Sequence, residues 1–343
     1  MTTSENLEIL DSKYGVSGSE NDIRSCVVEL FSKFCTDVKT DVLGNVIGIK
    51  KGKNSNAPSL MIEAHMDELG LMVSEITSEG SLKFVAVGGF DPKVLPGTEV
   101  TVHGKETLFG IIGAKPPHLI TNSAVTNISD LCVDIGFSEK ETKKLVSVGD
   151  IITLNTGYTK LDSGFVAGRC IDDRGGLAII LKVLEMLSSF ELENDIIAVA
   201  TVQEEVGLRG AKTAAASIQP GCAIAIDVCH GASPGVSEDA FSCGKGPVIS
   251  IGPNLHRKMT QKLIDTANEN NLDIQLEVCS GDTGTDAWEI QVSGAGIPSS
   301  LISVPVRYMH ANYEIADTSD METAARLIAS FASSMKEGDF LCW

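Results

Sequence analysis

The chain has 343 residues, room for one large domain or two, and 43% of them are hydrophobic, so a sizeable core is expected. A net charge of −19 excludes nucleic acid and anionic membranes as partners and gives any cation site a favourable field. No run of about 18 apolar residues is present, MTTSENLEIL does not read as a leader peptide, and the nine cysteines show no paired spacing, which together predict a cytoplasmic protein with reduced thiols.

In chain order, residues 22–35 put Ile23, Val27, Val28, Leu30, Phe31 and Phe34 broadly on one face, the pattern of a helix packed on a sheet. DVLGNVIGIKKG reads as a hairpin turning at Gly44-Asn45. PSLMIEAHMDELG supplies a buried strand, Ser59 to Ala64, that ends at His65. From about 67 to 162 short β-type segments such as LKFVAVGG, TEVTVHG and DIITLN alternate with glycines and prolines, and only SEKETKKLVSV looks helical. That stretch predicts a small β-barrel or sandwich inserted into a larger domain, which then comprises residues 1–66 and 163–343.

After the insertion the texture is α/β. CIDDRGGLAIILKVLEMLSS runs from a turn into an apolar helix, NDIIAVATVQEE is a strand, LRGAKTAAASI a short helix and GCAIAIDV a strand. HRKMTQKLIDTANENN is a helix, DIQLEV and SSLISVPVRYMH are strands, and DMETAARLIASFASSM closes the chain, with Ser319 and Glu322 fitting a capping box. Continuous apolar strands alternating with helices predict a mostly parallel sheet covered on both faces.

Several of these strands end in a residue able to bind a metal: His65, with Asp67 two positions on; Glu204 and Glu205; Asp227; and His310. The turn before the long helix adds Asp172 and Asp173. Ligands of open α/β sheets bind beyond the carboxyl ends of the strands, so these residues are placed to converge. Either histidine alone reads as a structural residue, and a glutamate pair at a strand end as an exposed pair; the set together favours a metal site. Two histidines among several carboxylates suit zinc, cobalt or manganese better than calcium. His65, Asp172, Glu205, Asp227 and His310 are too many for one four-coordinate ion, and a carboxylate bridging two ions resolves the count. Two such ions can share a hydroxide and polarise a carbonyl. Adjacent strand residues face opposite sides, so Glu204 and Glu205 can share a site only if the strand ends there, which Gly207 permits.

AHMDELGLMV, VGGFDPKVLPG, CIDDRGG, QEEVGLRGA, SGDTGTDAWEIQVSGAGIP and ISVPVRYMHANYEI together resemble the tetrahedral (TET) aminopeptidases, a family that includes glutamyl aminopeptidase, FrvX-type proteins and some labelled "cellulase M". The likeness runs from about residue 8 to 335. It implies hydrolysis of amino-terminal residues from peptides, with two metal ions per subunit. By the same likeness His65 and Asp227 hold one ion, Glu205 and His310 the other, Asp172 bridges them, Glu204 is the general base, and Asp67 orients His65. The Asp172–Asp173 peptide is often cis in the family. The insertion becomes a dimerisation domain, and twelve subunits form a hollow shell. Asp286 is expected at the substrate pocket and His256 at its entrance. The alternatives are a glycosidase, which needs two carboxylates flanking a sugar bond and no metal, and a metal-dependent deacylase or carboxypeptidase. The latter needs a basic clamp, for which Arg174, Arg209 and Arg307 are the unassigned candidates.

Overall fold

A computed structural model describes every residue except 55, 116–126, 237–239, 337 and 341–343. His118, in KPPH, reads from the sequence equally as a neighbour of the site or as a structural residue, and it lies outside the described residues. Helices α1 (Thr3–Asp11) and α2 (Asn21–Phe31) precede the hairpin β1 (Asp37–Thr40) and β2 (Val46–Lys50) and the buried strand β3 (Leu60–His65). The chain then enters β4 (Gly70–Ile76), β5 (Leu82–Val87), β6 (Glu99–His103), β7 (Thr107–Gly113), β8 (Cys132–Asp134), α3 (Glu139–Leu145) and β9 (Ile151–Leu154). It returns through β10 (Thr159–Lys160), β11 (Phe165–Gly168), α4 (Ile171–Leu187), β12 (Ile196–Thr201), α5 (Arg209–Ile218), β13 (Cys222–His230) and β14 (Val248–Ile251). The remaining elements are α6 (Arg257–Glu269), β15 (Gln275–Val278), α7 (Ala287–Gln291), β16 (Ser299–Arg307), β17 (Glu314–Asp317) and α8 (Thr318–Ser334).

The large sheet runs β1-β2-β12-β3-β13-β16-β17-β11-β10, with β14 and β15 attached beside β16. Its centre, β12, β3, β13 and β16, is parallel, β2 and β17 add to it antiparallel, and β14 joins β16 antiparallel while pairing parallel with β15. The central strands are buried at every residue through most of their length because helices cover both faces. Along β3, Leu60, Ile62 and Ala64 pack in the larger core with α4 and α8, while Met61 joins the smaller core beneath α5 and α7. Glu63 and His65 alternate with Met61 and share its side of the sheet. Each buried Leu or Ile of α4 contributes about 1.5–3 kcal/mol through apolar burial.

The inserted strands close into an antiparallel barrel, β4-β5-β8-β7-β6-β9, around its own core of residues such as Leu71, Val100, Val102 and Ile152. In β7, Leu108 and Ile112 point inward, whereas Phe109 and Ile111 point out and are 56% and 37% exposed. Asn312, in the turn after β16, fastens the barrel to the sheet by donating its Nδ2 to Val94 O and Thr98 Oγ1.

Three local expectations change. The cap of α8 is Asp317, whose carboxylate accepts from Ser319 N at 2.9 Å; Glu322 is taken instead by Thr3 of α1, so no Ser319–Glu322 box forms. Strand β13 continues past Asp227 to His230. Strand β16 stops at Arg307, leaving His310 in a turn with φ 61°.

Candidate metal centre

In register, Thr201 of β12 lies beside His65 of β3, so the two parallel strands finish together. The strand does end before the glutamates. Gln203 adopts a left-handed φ of 57° and Gly207 a φ of 118°, so Glu204 and Glu205 sit in a turn and escape strand alternation. Asp67 shapes this turn: its Oδ1 accepts from Glu204 N at 3.0 Å and its Oδ2 from Glu205 N at 3.3 Å and Ser17 Oγ at 2.6 Å. Buried Asn45 holds the flanks, accepting from Val202 N at 3.0 Å and donating to Gly210 O at 3.1 Å.

Asp172 opens α4 with non-helical φ −78° and ψ 107°, and its peptide to Asp173 is cis. Glu314, 2% exposed, accepts from the backbone N–H of both Asp172 (2.9 Å) and His310 (3.0 Å), tying these two residues together. Nothing in the residue pattern marked Glu314 beforehand, because it acts on backbone groups four residues after the histidine.

The side chains converge. His65 Nε2 is 3.0 Å from Asp172 Oδ1, and His310 Nε2 is 3.2 Å from Asp172 Oδ2. His310 Nε2 is 3.7 Å from Glu205 Oε1, and His65 Nε2 is 3.9 Å from Glu204 Oε2. Among the described residues, three sets offer donor atoms all within 4.8 Å of one another: His65, Asp172 and Asp227; Asp172, Glu205 and His310; His65, Glu204 and Glu205. The first two sets share only Asp172, whose two oxygens face different imidazoles. His65 Nδ1 lies 3.1 Å from the Asp67 carbonyl oxygen and 3.6 Å from its carboxylate. A carbonyl only accepts, so Nδ1 carries hydrogen and Nε2 is free for a metal ion or a proton.

The protonation of these groups shows what the site demands. Burial and neighbouring carboxylates push Glu204 up to about 10 and Glu205 to about 8. Burial and Asp172 raise Asp227 well above the usual range. The hydrogen bond to Asp172 pushes His310 up to about 9. Burial opposes charge on His65, but Asp172, Glu204 and Asp67 outweigh it and raise that imidazole. Burial likewise opposes charge on Asp172, which the two imidazoles hold well below its usual value. The upward shifts of Glu204, Glu205, Asp227, His65 and His310 draw positive charge, as protons or as cations, toward an Asp172 that stays ionised. Imidazole and carboxylate donors in this proportion fit divalent zinc, cobalt or manganese.

Two predicted pocket residues lie elsewhere. Asp286 is 2% exposed and accepts from Thr201 Oγ1, which is also 2.8 Å from Glu63 Oε1. One hydroxyl donates once, and burial raises both carboxyls, so this pair holds a proton behind the metal donors. His256 is buried as the cap of α6, its Nδ1 accepting from Met259 N, and does not line the cleft. The arginines are occupied as well. Arg174 is wholly buried against Leu10 O, Lys13 O and Glu68; Arg209 donates to Val206 O and Arg307 to Ala232 O, and none lines the cleft. The cleft, about 500 Å³, opens from the metal donors towards β15 and the 282–285 loop.

Over residues 44–327 the chain matches the M42 glutamyl aminopeptidase family. It is 35% identical to the lysyl aminopeptidase of Pyrococcus furiosus across 335 residues, 95% of each chain. It is 31% identical to the glutamyl aminopeptidase of Lactococcus lactis across 343 residues, 96% of each chain. Among solved structures, the TET1 peptidase of Pyrococcus horikoshii, which assembles into a tetrahedron or a large octahedral shell, superposes with a TM-score of 0.86 at 34% identity, over 97% of this chain and 100% of that one.

Proposed function

The chain belongs to the M42 glutamyl aminopeptidase family of metal-dependent aminopeptidases, and from that premise we propose how its residues divide the work. His65 and Asp227 hold one divalent ion, Glu205 and His310 a second, and Asp172 bridges them. The observation carrying this assignment is that Asp172 is the one residue common to the sets His65–Asp172–Asp227 and Asp172–Glu205–His310, with one oxygen toward each imidazole. Zinc, cobalt and manganese all suit these donors. Bound ions supply Lewis acidity toward the first peptide carbonyl and make a nucleophile available from water near neutral pH.

Glu204 is the general base. It belongs with His65 and Glu205 in one donor set but to neither bridged set, which leaves its carboxylate for the proton of the attacking water and for its delivery to the leaving amide nitrogen. Asp67 is a positioning residue: its carbonyl sets the His65 tautomer, while its carboxylate holds both glutamate amides. The absence of arginine and lysine from the described cleft lining disfavours a carboxypeptidase, and imidazoles at its centre disfavour a glycosidase. The barrel's exposed Phe109 and Ile111 suit a dimer face from which a dodecameric shell is built. All cysteines among the described residues are free thiols, in keeping with a cytoplasmic enzyme.

The test is Glu204→Gln. The variant retains both ions by elemental analysis and loses about 10²–10⁴-fold in kcat on an aminoacyl p-nitroanilide. Near-normal turnover with full metal content removes Glu204 as the base.

A further inference from the structure

We infer that the far end of the cleft is built for a positively charged first side chain, so that the enzyme releases lysyl and arginyl residues in preference to glutamyl ones, with Glu277 and Asp282 setting that preference. This rests on the proposed reading of the metal centre as the place where the first peptide bond is cut.

The sheet fixes the geometry. Asp227 on β13 is in register with Ser303 on β16, β16 pairs with β14, and β14 carries Ser250 beside Glu277 of β15. Three strand spacings of about 4.8 Å put β15 roughly 14 Å from β13 along the sheet. Glu277 and Asp227 both line the cleft, with β16 and β14 between their strands. The same cleft is lined by the apolar Val228, Phe241, Leu301 and Met309. A residue bound with its carbonyl at the metal centre lays the methylenes of its side chain along these walls and its charged head at the acidic end.

The charge at that end is uncompensated. Glu277 is half-buried and accepts from Ser250 Oγ at 2.7 Å, a bond that fixes the carboxylate without neutralising it. Asp282 is exposed and turns its Oδ1 toward Gly284 N. Neither carboxylate has a cationic partner in the ion pairs among the described residues, and no described lining residue is lysine or arginine. An ammonium or guanidinium head supplies the missing charge. A glutamyl side chain brings a third carboxylate into the same half-buried space, so discrimination comes from repulsion as well as attraction.

The experiment measures kcat/KM of the metal-loaded full chain on lysyl, arginyl, leucyl and glutamyl p-nitroanilides. Wild type is expected to favour lysyl and arginyl over glutamyl by at least about 100-fold, the scale of a like-charge clash. In Glu277→Gln the lysyl-to-leucyl ratio falls about tenfold, mainly through KM. Glu277→Lys moves preference toward glutamyl. Asp282→Asn, at an exposed position, gives a smaller fall in the same ratio and serves should the Glu277 variants fail to fold. A wild type that prefers glutamyl, or ratios unmoved in the variants because leucyl falls with lysyl, overturns the inference; the latter means these carboxylates hold the substrate's α-ammonium. If all four anilides are cleaved without charge preference, only this inference fails. If none is cleaved, the aminopeptidase reading fails and takes this one with it.

Discussion

Asp172 shows how much one carboxylate carries here. Its two oxygens face His65 and His310 at 3.0 and 3.2 Å, and its backbone N–H is held by Glu314. Asp172→Ala therefore removes a donor from both bridged sets at once and is expected to lower metal content at both positions; elemental analysis finding two full ions per chain removes Asp172 as the bridge. The residues of this cluster were legible beforehand because each follows an apolar run or a helix-opening turn, where a buried charge is conspicuous. Glu314 and Glu63 were not, since they act on backbone amides or on another carboxyl deep in the fold, and nothing in their spacing distinguishes them from exposed glutamates. Asp286 and His256 mislead for the opposite reason: polar residues at helix starts look accessible, but here Thr201 and Met259 N use them as internal partners.

At the scale of elements, the decisive feature is the break after β12, which lets two adjacent glutamates face one site. In the sequence NDIIAVATVQEE reads as a strand through both glutamates and Gly207 only permits a break, whereas β12 ends at Thr201 and nothing in the pattern shows how the turn is fastened. Gly44-Asn45 reads as a hairpin turn, and Gly44 does take a φ of 119°, yet Asn45 is more than a turn residue. Its side chain reaches Val202 N and Gly210 O on either side of the glutamate turn, across more than 150 positions in sequence. No periodicity reports a bond of that kind. Asn45→Ala leaves the buried Val202 N–H without its acceptor, at about 1–3 kcal/mol, while Gly210 O still accepts from Thr213 Oγ1 at 3.0 Å. Urea denaturation of the metal-loaded protein is expected to show a loss of about 1–3 kcal/mol. Activity falls chiefly in kcat as the Glu204 carboxylate loses its placement. A variant with full stability and kcat shows instead that Asp67 alone holds the turn.

For the whole molecule, the parallel centre and closed barrel were legible from continuous apolar runs and from glycine-punctuated short segments. The antiparallel flanks were less so, because β14 and β17 are four residues each and carry no alternation long enough to register. If the barrel's outer face is the subunit contact, Phe109→Asp places a charge where an apolar ring was covered and gives a smaller particle by light scattering; an unchanged mass moves the contact elsewhere. A second property of the whole follows from its buried acidity. Glu205 ionises near 4.5 when unfolded but is pushed up to about 8 in the fold. Between those values the folded, metal-free chain holds a proton that the unfolded chain has lost, so its stability declines as pH rises through that window. Bound ions take the proton's place, and their affinity grows over the same range because fewer protons must be displaced. The gap in melting temperature between metal-loaded and chelated protein is therefore expected to widen from pH 5 to pH 8. Thermal scans in matched buffers check this, and a gap that is constant or narrows with rising pH means that the carboxylates around Asp172 do not exchange protons for metal.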